Sequence, residues 1–427
     1  MIMRWYNSFC FKLFGSCIVA LSVATGTFAA RIGTDRDWYL AGEAMTVSVA
    51  ADDGLIAYAE LCDVHGLAAG VAISLSEGEG TGIIELPSDL HSGFYVLSAY
   101  TRHSTQVAQQ LVAVINPLHK SEDDDIEWVA AADSSWAEAD GAADLVGAKP
   151  ADVRETEGHI IKARVSNVYR GTTFRDRQIV PSLSIVGKQI HYFEGKMVND
   201  STAVFYTYDI RGRQPLVLSA VSATGVSLPI EMISPFATLR PKQLPHLVFH
   251  YKRTEVEARS LSMQRHQLAI APAKRELKLG DLSDDTAVDG VPLDYDETLF
   301  GSTPSLSYNL DEYRQFFTIR EVLLEYVNCV RTIKRNGVPR LIVRDEHSHY
   351  INSWPAMVLI DGMPVGNIER LLNYDARRIH YINIYSGQYT FGNGIYNGIL
   401  SLISRSGRLT NYPVEPNVQY LVYEFPE

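Results

Sequence analysis

The chain has 427 residues, a hydrophobic fraction of 46% and a formal net charge of -12. At ~100–200 residues per domain, that length excludes one small domain and predicts two to four. No basic stripe with interleaved aromatics is present to neutralise a run of phosphates, so nucleic acid is excluded as a partner and the excess acid serves solubility.

Twenty-three tyrosines, with abundant Val, Ile and Thr, tilt the composition toward strands. At the N-terminus Arg4 and Lys12 precede an apolar run from Leu13 to Val23, and Thr27-Phe28-Ala29-Ala30 supplies small residues for cleavage. Residues 1–30 therefore read as a signal peptide, which makes the mature chain exported, to the periplasm or the outer membrane. An uncleaved anchor is the competing reading, but the run falls short of the ~20 residues that span a bilayer, and nothing later is long enough to span. Cys17, preceded by Phe14-Gly15-Ser16, lacks the Leu-small-small pattern of a lipidation site. Cys10 and Cys17 leave with the signal. The remaining Cys62 and Cys329 are too few for a disulfide framework and are expected as buried small hydrophobes.

From residue 31 to 117 apolar and polar residues alternate between glycine and aspartate turns. Met45-Val47-Val49, Ile56-Tyr58-Glu60 and Phe94-Val96-Ser98-Tyr100 each place alternate side chains on one face, as strands require. A β-sandwich of about Ig size follows. Within it the run Thr34 to Glu43, containing Trp38-Tyr39-Leu40-Ala41-Gly42-Glu43, resembles the opening of macroglobulin-type MG2 domains. Leu86-Pro87, Ser92-Gly93-Phe94-Tyr95 and Ala99-Tyr100-Thr101 resemble the "LP…SGxYxLxAYT" stretch of the same family. Ala41 stands where that family has proline before the glycine. The resemblance covers about eighty residues and implies a sandwich whose Gly-Glu turn leads into the first long strand. The thioester Cys-Gly-Glu-Gln of that family is absent, so covalent protease trapping is not implied.

Residues 118–158 read as an acidic linker, with Ser121-Glu122-Asp123-Asp124-Asp125 followed by Ala-rich text poor in branched apolars. Its spacing matches no oxygen-ligand loop for calcium. Alternation resumes at His159 and runs through Leu183-Ser184-Ile185 and Ala203-Val204-Phe205-Tyr206 to residue 236, a second β-sandwich. Residues 237–309 carry Pro241, Pro245, Pro272, Pro292 and Pro304, the acids Asp281, Asp284, Asp285 and Asp289, and no sustained periodicity, and read as a connector.

In the last segment, residues 310–427, Thr318-Ile319-Arg320-Glu321 is a capping box. Ile319, Val322, Leu323, Tyr326, Val327 and Val330 then fall at helical spacing, which predicts a helix stopped by Asn336-Gly337 before a strand at Arg340–Arg344. Met357–Val365 reads as a buried strand closed by the Asp361-Gly362 turn, followed by a short helix around Ile368–Leu372, a strand from Ile379 through Ile384 and a last strand in the glycine-containing text from Tyr389 to Gly407. In that order these motifs resemble the plug domain of TonB-dependent outer-membrane receptors, with its "xxDGxPV", "IxxIxV" and "YGxxxxNGxIxIxTKxG" strands. Phe391-Gly392 stands for Tyr-Gly, and Ser404-Arg405 for Thr-Lys. A transport barrel would need roughly twenty strands of ~10 residues. Twenty residues follow Gly407, so the resemblance implies a plug-like α+β module without its barrel. The expected fold class is mainly β, two Ig-like β-sandwich modules followed by this small α+β domain.

Chemistry is sparse. His246 and His250 have the i, i+4 spacing of a helical zinc pair but lack the adjacent glutamate and sit in strand-like text; His347 and His349 alternate without an evident third ligand. The acid pairs Asp284/Asp285 and Asp294/Asp296 read as linker and turn acids before acid–base groups. No nucleophile elbow, phosphate loop or dinucleotide fingerprint occurs. No catalytic, cofactor-binding or metal residue is assigned, and no cofactor is expected.

The expectation is a non-enzymatic interaction or scaffold protein of the cell envelope that holds protein partners, with pairing at sheet edges as one means. Tyr412, Tyr420 and Tyr423 are candidates for contact surfaces, with ordinary strand packing as the alternative. The competing functions are an accessory of a TonB-dependent uptake system, binding ligand or a separately encoded barrel, and an envelope hydrolase, which predicts a pocket of pKa-shifted acids.

Overall fold

The computed structural model describes residues 30–52, 54–129, 145–146, 152–166, 179–185, 191–222, 227–270, 302–335, 338–344, 355–391, 394–405, 415 and 417–427. The signal-peptide text up to residue 29 lies outside them. As expected, the fold is mainly β. No helix among the described residues is long and apolar enough to cross a membrane.

Alternation in the first hundred residues produces β1 (Arg31–Thr34), β2 (Trp38–Leu40), β3 (Ala44–Ala50), β4 (Ile56–Cys62), β5 (Leu67–Ser74), β6 (Glu79–Glu85), β7 (Gly93–Thr101) and β8 (Ala108–Ile115). They form a sandwich of a three-stranded sheet, β1-β3-β6, on a five-stranded sheet, β2-β8-β7-β4-β5. Met45, Val47 and Val49 of β3 meet Leu61, Tyr95, Leu97 and Val112 across the interior. The turn into β3 needs Gly42, whose φ of 88° is closed to most side chains. Glu43 braces it by accepting the Leu40 N–H at 3.0 Å.

Every residue of β4 and β7 is buried, on both faces. Cover for the outer face comes from the segments that read as linkers. Two short strands, β9 (Ile126–Trp128) and β10 (Leu145–Val146), come from the acidic one.

The second sandwich is built from β11 (His159–Val165), β12 (Ile179–Ile185), β13 (His191–Glu194), β14 (Lys196–Met197), β15 (Thr202–Thr207), β16 (Gly212–Ser222) and β17 (Ile230–Ile233). One sheet runs β14-β15-β11-β17; the other begins β13-β12-β16. The proline-containing connector then supplies β18 (Arg240–Pro241), β19 (Leu247–Phe249) and the helix α1 (Arg253–Ile270). β18 pairs with β10, and β19 runs parallel to β9, so the two presumed linkers close on each other as a strap. Leu247, Phe249 and Val256 bury Leu40, Phe94 and Ile115 on the outer face of the first sandwich.

α1 corrects the expectation of an aperiodic connector. Among its described side chains only Val256 and Ser260 are buried and Met263 is half-buried, so hydrophobic spacing does not show it. Polar anchors hold it instead. Gln267 Nε2 donates to the Gly42 carbonyl at 2.6 Å, and the Arg259 guanidinium lies 4.8 Å over the Trp38 ring and 2.7 Å from Glu43.

The α+β module contains β20 (Leu306–Asn309), α2 (Ile319–Glu325), β21 (Val330–Arg335), β22 (Val338–Val343), β23 (Met357–Ile360), β24 (Met363–Pro364), α3 (Ile368–Leu372), β25 (Ile379–Phe391) and β26 (Gly394–Ser404). Its sheet order is β20-β25-β26-β23-β24, with β23 parallel to β26, and β21-β22 form a separate hairpin. Asp361 and Gly362, at φ 46° and 86°, make the tight turn between β23 and β24. The buried Asp361 carboxylate also accepts from the Ser404 backbone N–H at 2.7 Å and the Ser404 hydroxyl at 2.6 Å, tying the turn to the end of β26.

The Thr318–Glu321 capping box forms as read from the sequence, but α2 stops at Glu325 and Val330 begins a strand. The predicted helix is too long because Val327, Val330, Thr332 and Ile333 favour the pleated conformation. Asn336-Gly337 lies outside the described residues. Cys62 and Cys329 are free and buried, as expected.

The last strand, β27 (Gln419–Phe425), departs most from expectation. Rather than closing the 310–427 module, it pairs antiparallel with β16, from Gly212 opposite Phe425 to Leu218 opposite Gln419. Tyr423 and Phe425 thereby enter the second sandwich's interior, where Leu216 and Leu218 of β16 also point. Val217, facing the other way, packs into the core of the α+β module, so β16 serves two cores. With Phe425 only 1% exposed, Phe425→Ala should cost ~3–5 kcal/mol in urea unfolding. A loss under about 1 kcal/mol would contradict β27 as a core strand.

Candidate functional site

The residues singled out for chemistry do not converge. His246 and His250 flank β19 rather than sharing a helical face; His246 is exposed, and its Nδ1 meets the Asp125 carboxylate, which raises its pKa. His347, His349, Asp284, Asp285, Asp294, Asp296 and Tyr412 lie outside the described residues. Among the described residues no group of three or more His, Cys, Asp or Glu is placed to hold a metal. Tyr423 is core, and Tyr420 is half-buried with its hydroxyl 3.2 Å from Met363 Sδ, so both serve strand packing.

The concentrated chemistry is elsewhere, in a buried polar junction between the two sandwiches. Tyr58 comes from β4, Arg102 follows β7, Glu155 precedes β11, His159 opens β11 and Tyr423 comes from β27. Glu155 and His159 are 3% and 4% exposed, so their polar atoms depend on one another. The Tyr58 hydroxyl donates to Glu155, 2.8 Å from Oε2. The Ile160 N–H donates to Oε1 at 2.7 Å. His159 Nδ1 is 3.2 Å from the same oxygen, and its Nε2 is 2.6 Å from the Tyr423 hydroxyl. These partners fix the tautomer: Nδ1–H donates to the carboxylate and Nε2 accepts from Tyr423. Arg102 Nη1 lies 3.7 Å from Glu155 Oε1, with its guanidinium 5.1 Å over the Tyr58 ring.

Electrostatics follow from that geometry. Burial pushes the Glu155 carboxyl up, but the His159 hydrogen bond, Arg102 and the Ile160 N–H outweigh it and hold its pKa below the ordinary range. Burial holds the His159 imidazole below its ordinary value despite the pull of Glu155. Burial also drives the Tyr58 phenol well up. An ionised Glu155 beside a neutral His159 is the outcome.

A second carboxylate clamps the strap. Glu60 of β4 accepts the Leu239 N–H at 2.6 Å, the Thr238 N–H at 3.0 Å and the Tyr100 hydroxyl at 3.1 Å. Thr238 sits at φ 57°, a costly conformation for a β-branched residue, and the clamp holds it there. Burial raises the Glu60 carboxyl despite these donors.

Sequence reasoning missed both carboxylates as organising groups. One signal was present, because Glu60 continues the Ile56-Tyr58 face of a strand whose other face is also apolar, a position where an unpaired acid is not tolerated. Glu155 sits in acidic text and carries no local mark. Chemically, both ring nitrogens of His159 are engaged and Glu155 is surrounded by donors, so the arrangement fixes three segments of the chain relative to one another.

No protein family and no curated protein matches the chain. Among solved structures it is similar to Escherichia coli alpha-2-macroglobulin activated by porcine elastase, at 12% identity and a TM-score of 0.18, over 48% of this chain and 19% of that one. The native conformation of the E. coli protein is similar at 15% identity and TM-score 0.18, over 51% and 15%. The E. coli adhesin FdeC is similar at 14% identity and TM-score 0.17, over 53% and 66%. The matched region thus spans under a fifth of the macroglobulins' length. Likenesses at such TM-scores carry no argument about this chain.

The junction has a pH signature. A neutral His159 with a lowered folded pKa stabilises fully above its unfolded value of about 6.5, and that contribution is lost as pH falls below it. Glu155 acts in the same direction lower down, complete above about 4.5 and lost as pH falls through its lowered folded value. Glu60, raised, runs the other way. The readout is therefore a difference: the stability gap between wild type and His159→Gln should shrink as pH falls from about 7.5 to about 5. A constant gap would refute the neutral buried imidazole. Glu155→Gln should cost ~3–5 kcal/mol at neutral pH in denaturant unfolding, since it leaves Arg102 buried without its carboxylate.

Proposed function

We propose that this chain is a non-enzymatic binding scaffold of the bacterial cell envelope, exported to the periplasm or outer membrane, whose fused modules present surfaces to protein partners. The observation that carries this reading is the use made of the intermodular segments. Their described residues pair with each other through β9-β19 and β10-β18 and are clamped by Glu60. Glu155 and His159 then join the first sandwich to the second and to β27. Holding binding surfaces at fixed separations avoids the ordering entropy that a flexible array loses on each binding event. The pKa-shifted acids Glu60 and Glu155 are engaged in this union, which supports a scaffold role over acid–base chemistry.

The uptake-accessory reading also has a specific support. The three sequence motifs that resemble those of a receptor plug fall on β23 with its Asp361-Gly362 turn, β25 and β26, which share one sheet. In-cell cross-linking of a tagged chain, with mass spectrometry of the outer-membrane fraction, separates the two. Recurrent capture of defined envelope proteins fits the scaffold, and recurrent capture of a β-barrel protein fits the accessory. Recovery no greater than from a tag-only control would overturn both.

A further inference from the structure

A proton taken up by His159 rewrites the hydrogen bonds of the junction between the sandwiches. In the neutral ring Nε2 accepts from the Tyr423 hydroxyl at 2.6 Å, while Nδ1–H donates to Glu155. A protonated imidazole donates from both nitrogens and accepts at neither. The Tyr423 hydroxyl must then turn its hydrogen away, and among the described residues His159 is the only hydrogen-bond partner this hydroxyl has. Tyr423 is buried, so the displaced O–H is left without an acceptor. Arg102 adds a second penalty. Its guanidinium lies 3.7 Å from the carboxylate that His159 shares and opposes another positive charge there.

The groups that face His159 come from several elements. Tyr58 stands on β4, Arg102 after β7 with Asp152 near it, Glu155 before β11, and Tyr423 and Phe425 on β27. Despite burial, hydrogen bonds and countercharge hold Glu155 and Asp152 below the ordinary carboxylate range, and burial pushes both phenols up. Of these groups only His159 has its ordinary pKa between about pH 7.5 and 5. The Tyr423 ring stacks on the imidazole at 5.6 Å, so wetting His159 requires β27 to move. Among the described strands β27 pairs with β16 alone, at a sheet edge, and it leaves by breaking one ladder.

We propose that His159 makes the junction an acid-operated joint, in which uptake of a proton by the imidazole releases β27 from β16 while both sandwiches keep their other strands paired. The opening is local and precedes loss of the sheets around it. Once wetted, the ring recovers an ordinary proton affinity, so each pH unit below about 6.5 favours the open form by up to ~tenfold until the closed ring also titrates. β27 is the chain's return from the α+β module to the second sandwich, so its release loosens the coupling of those modules. Glu424 on the same strand acts the other way. Burial, Glu427 and Glu85 raise its pKa, so its protonation favours the closed form as pH falls.

Hydrogen exchange of the full chain, read by mass spectrometry at about pH 7.5 and pH 5 and corrected for intrinsic rates, tests the joint. Protection of the β27 amides should fall at least fivefold at the lower pH, while β4 and β7 change less than twofold. His159→Gln removes the titrating group and should hold the β27 change within twofold. Glu424→Gln removes the opposing group and should leave the change at or above that of wild type. Should His159→Gln fail to fold, Tyr423→Phe takes its place. It removes the donor that holds the ring neutral, and the β27 change should drop to less than half that of wild type. The proposal is overturned if β27 protection does not change with pH, or if every strand changes by the same factor. It is equally overturned if the β27 change persists undiminished in His159→Gln, or in Tyr423→Phe where that variant stands in.

Discussion

A carboxylate taken out of water must be met by donors, and Glu155 is where this constraint organises the molecule. Stripping an ion of its hydration costs several kcal/mol, recovered only if hydrogen bonds and countercharge arrive from fixed positions. Here the donors come from separate parts of the chain: a phenol on β4, an imidazole and a backbone N–H on β11, with the Arg102 guanidinium after β7 as countercharge. His159 extends the demand to β27 through Tyr423. A displacement of any one segment leaves a buried polar atom unmatched, so the relative placement of the first sandwich, the second sandwich and the C-terminal strand is held by one small network.

Hydrophobic burial explains why those segments meet. β4 and β7 are apolar on both faces, and the three-stranded sheet covers only one. At about 25 cal/mol per Å² of apolar surface, leaving Tyr58, Phe94 and Tyr100 wet would forfeit several kcal/mol. The strap covers them: Leu239 packs with Ile56, Tyr58 and Tyr100, while Leu247 and Phe249 pack with Phe94. On β16 the same logic produces a strand with two cores, Leu216 and Leu218 facing the second sandwich and Val217 the α+β module.

How much of this can be read from the sequence depends on whether the cause is local. The Thr318–Glu321 cap, the Asp361-Gly362 turn, the α3 segment and the alternating strands of both sandwiches depend on residues within a few positions of one another, and these readings match the structure. α1 did not register because it buries few side chains and one of them is the polar Ser260. β27 falls in text assigned to the 310–427 module, because no local pattern there names the neighbour with which it pairs. That neighbour lies some two hundred residues earlier, and pairing over such a distance leaves no periodic trace. The junction is harder still, since Tyr58, Arg102, Glu155, His159 and Tyr423 are unremarkable residues whose meaning comes only from convergence. The doubly apolar strands were the one available clue that the linkers had to be cover.

That clue also sharpens the meaning of what remains uncovered. This chain uses β9, β18, β19 and α1 to cover one apolar sheet face and β27 to complete another sheet. α2 is treated differently. Ile319, Val322 and Leu323 go into the core, yet Leu324 and Phe317 face water, although a polar residue at either position would be compatible with the helix. Exposed aromatic and aliphatic groups carry a solubility cost without any folding return, and Ile83, Val198 and Tyr208 are likewise left more than half exposed. Apolar surface is therefore covered where a whole sheet face would otherwise be wet, and left to water where single side chains project from an element whose other face is already buried.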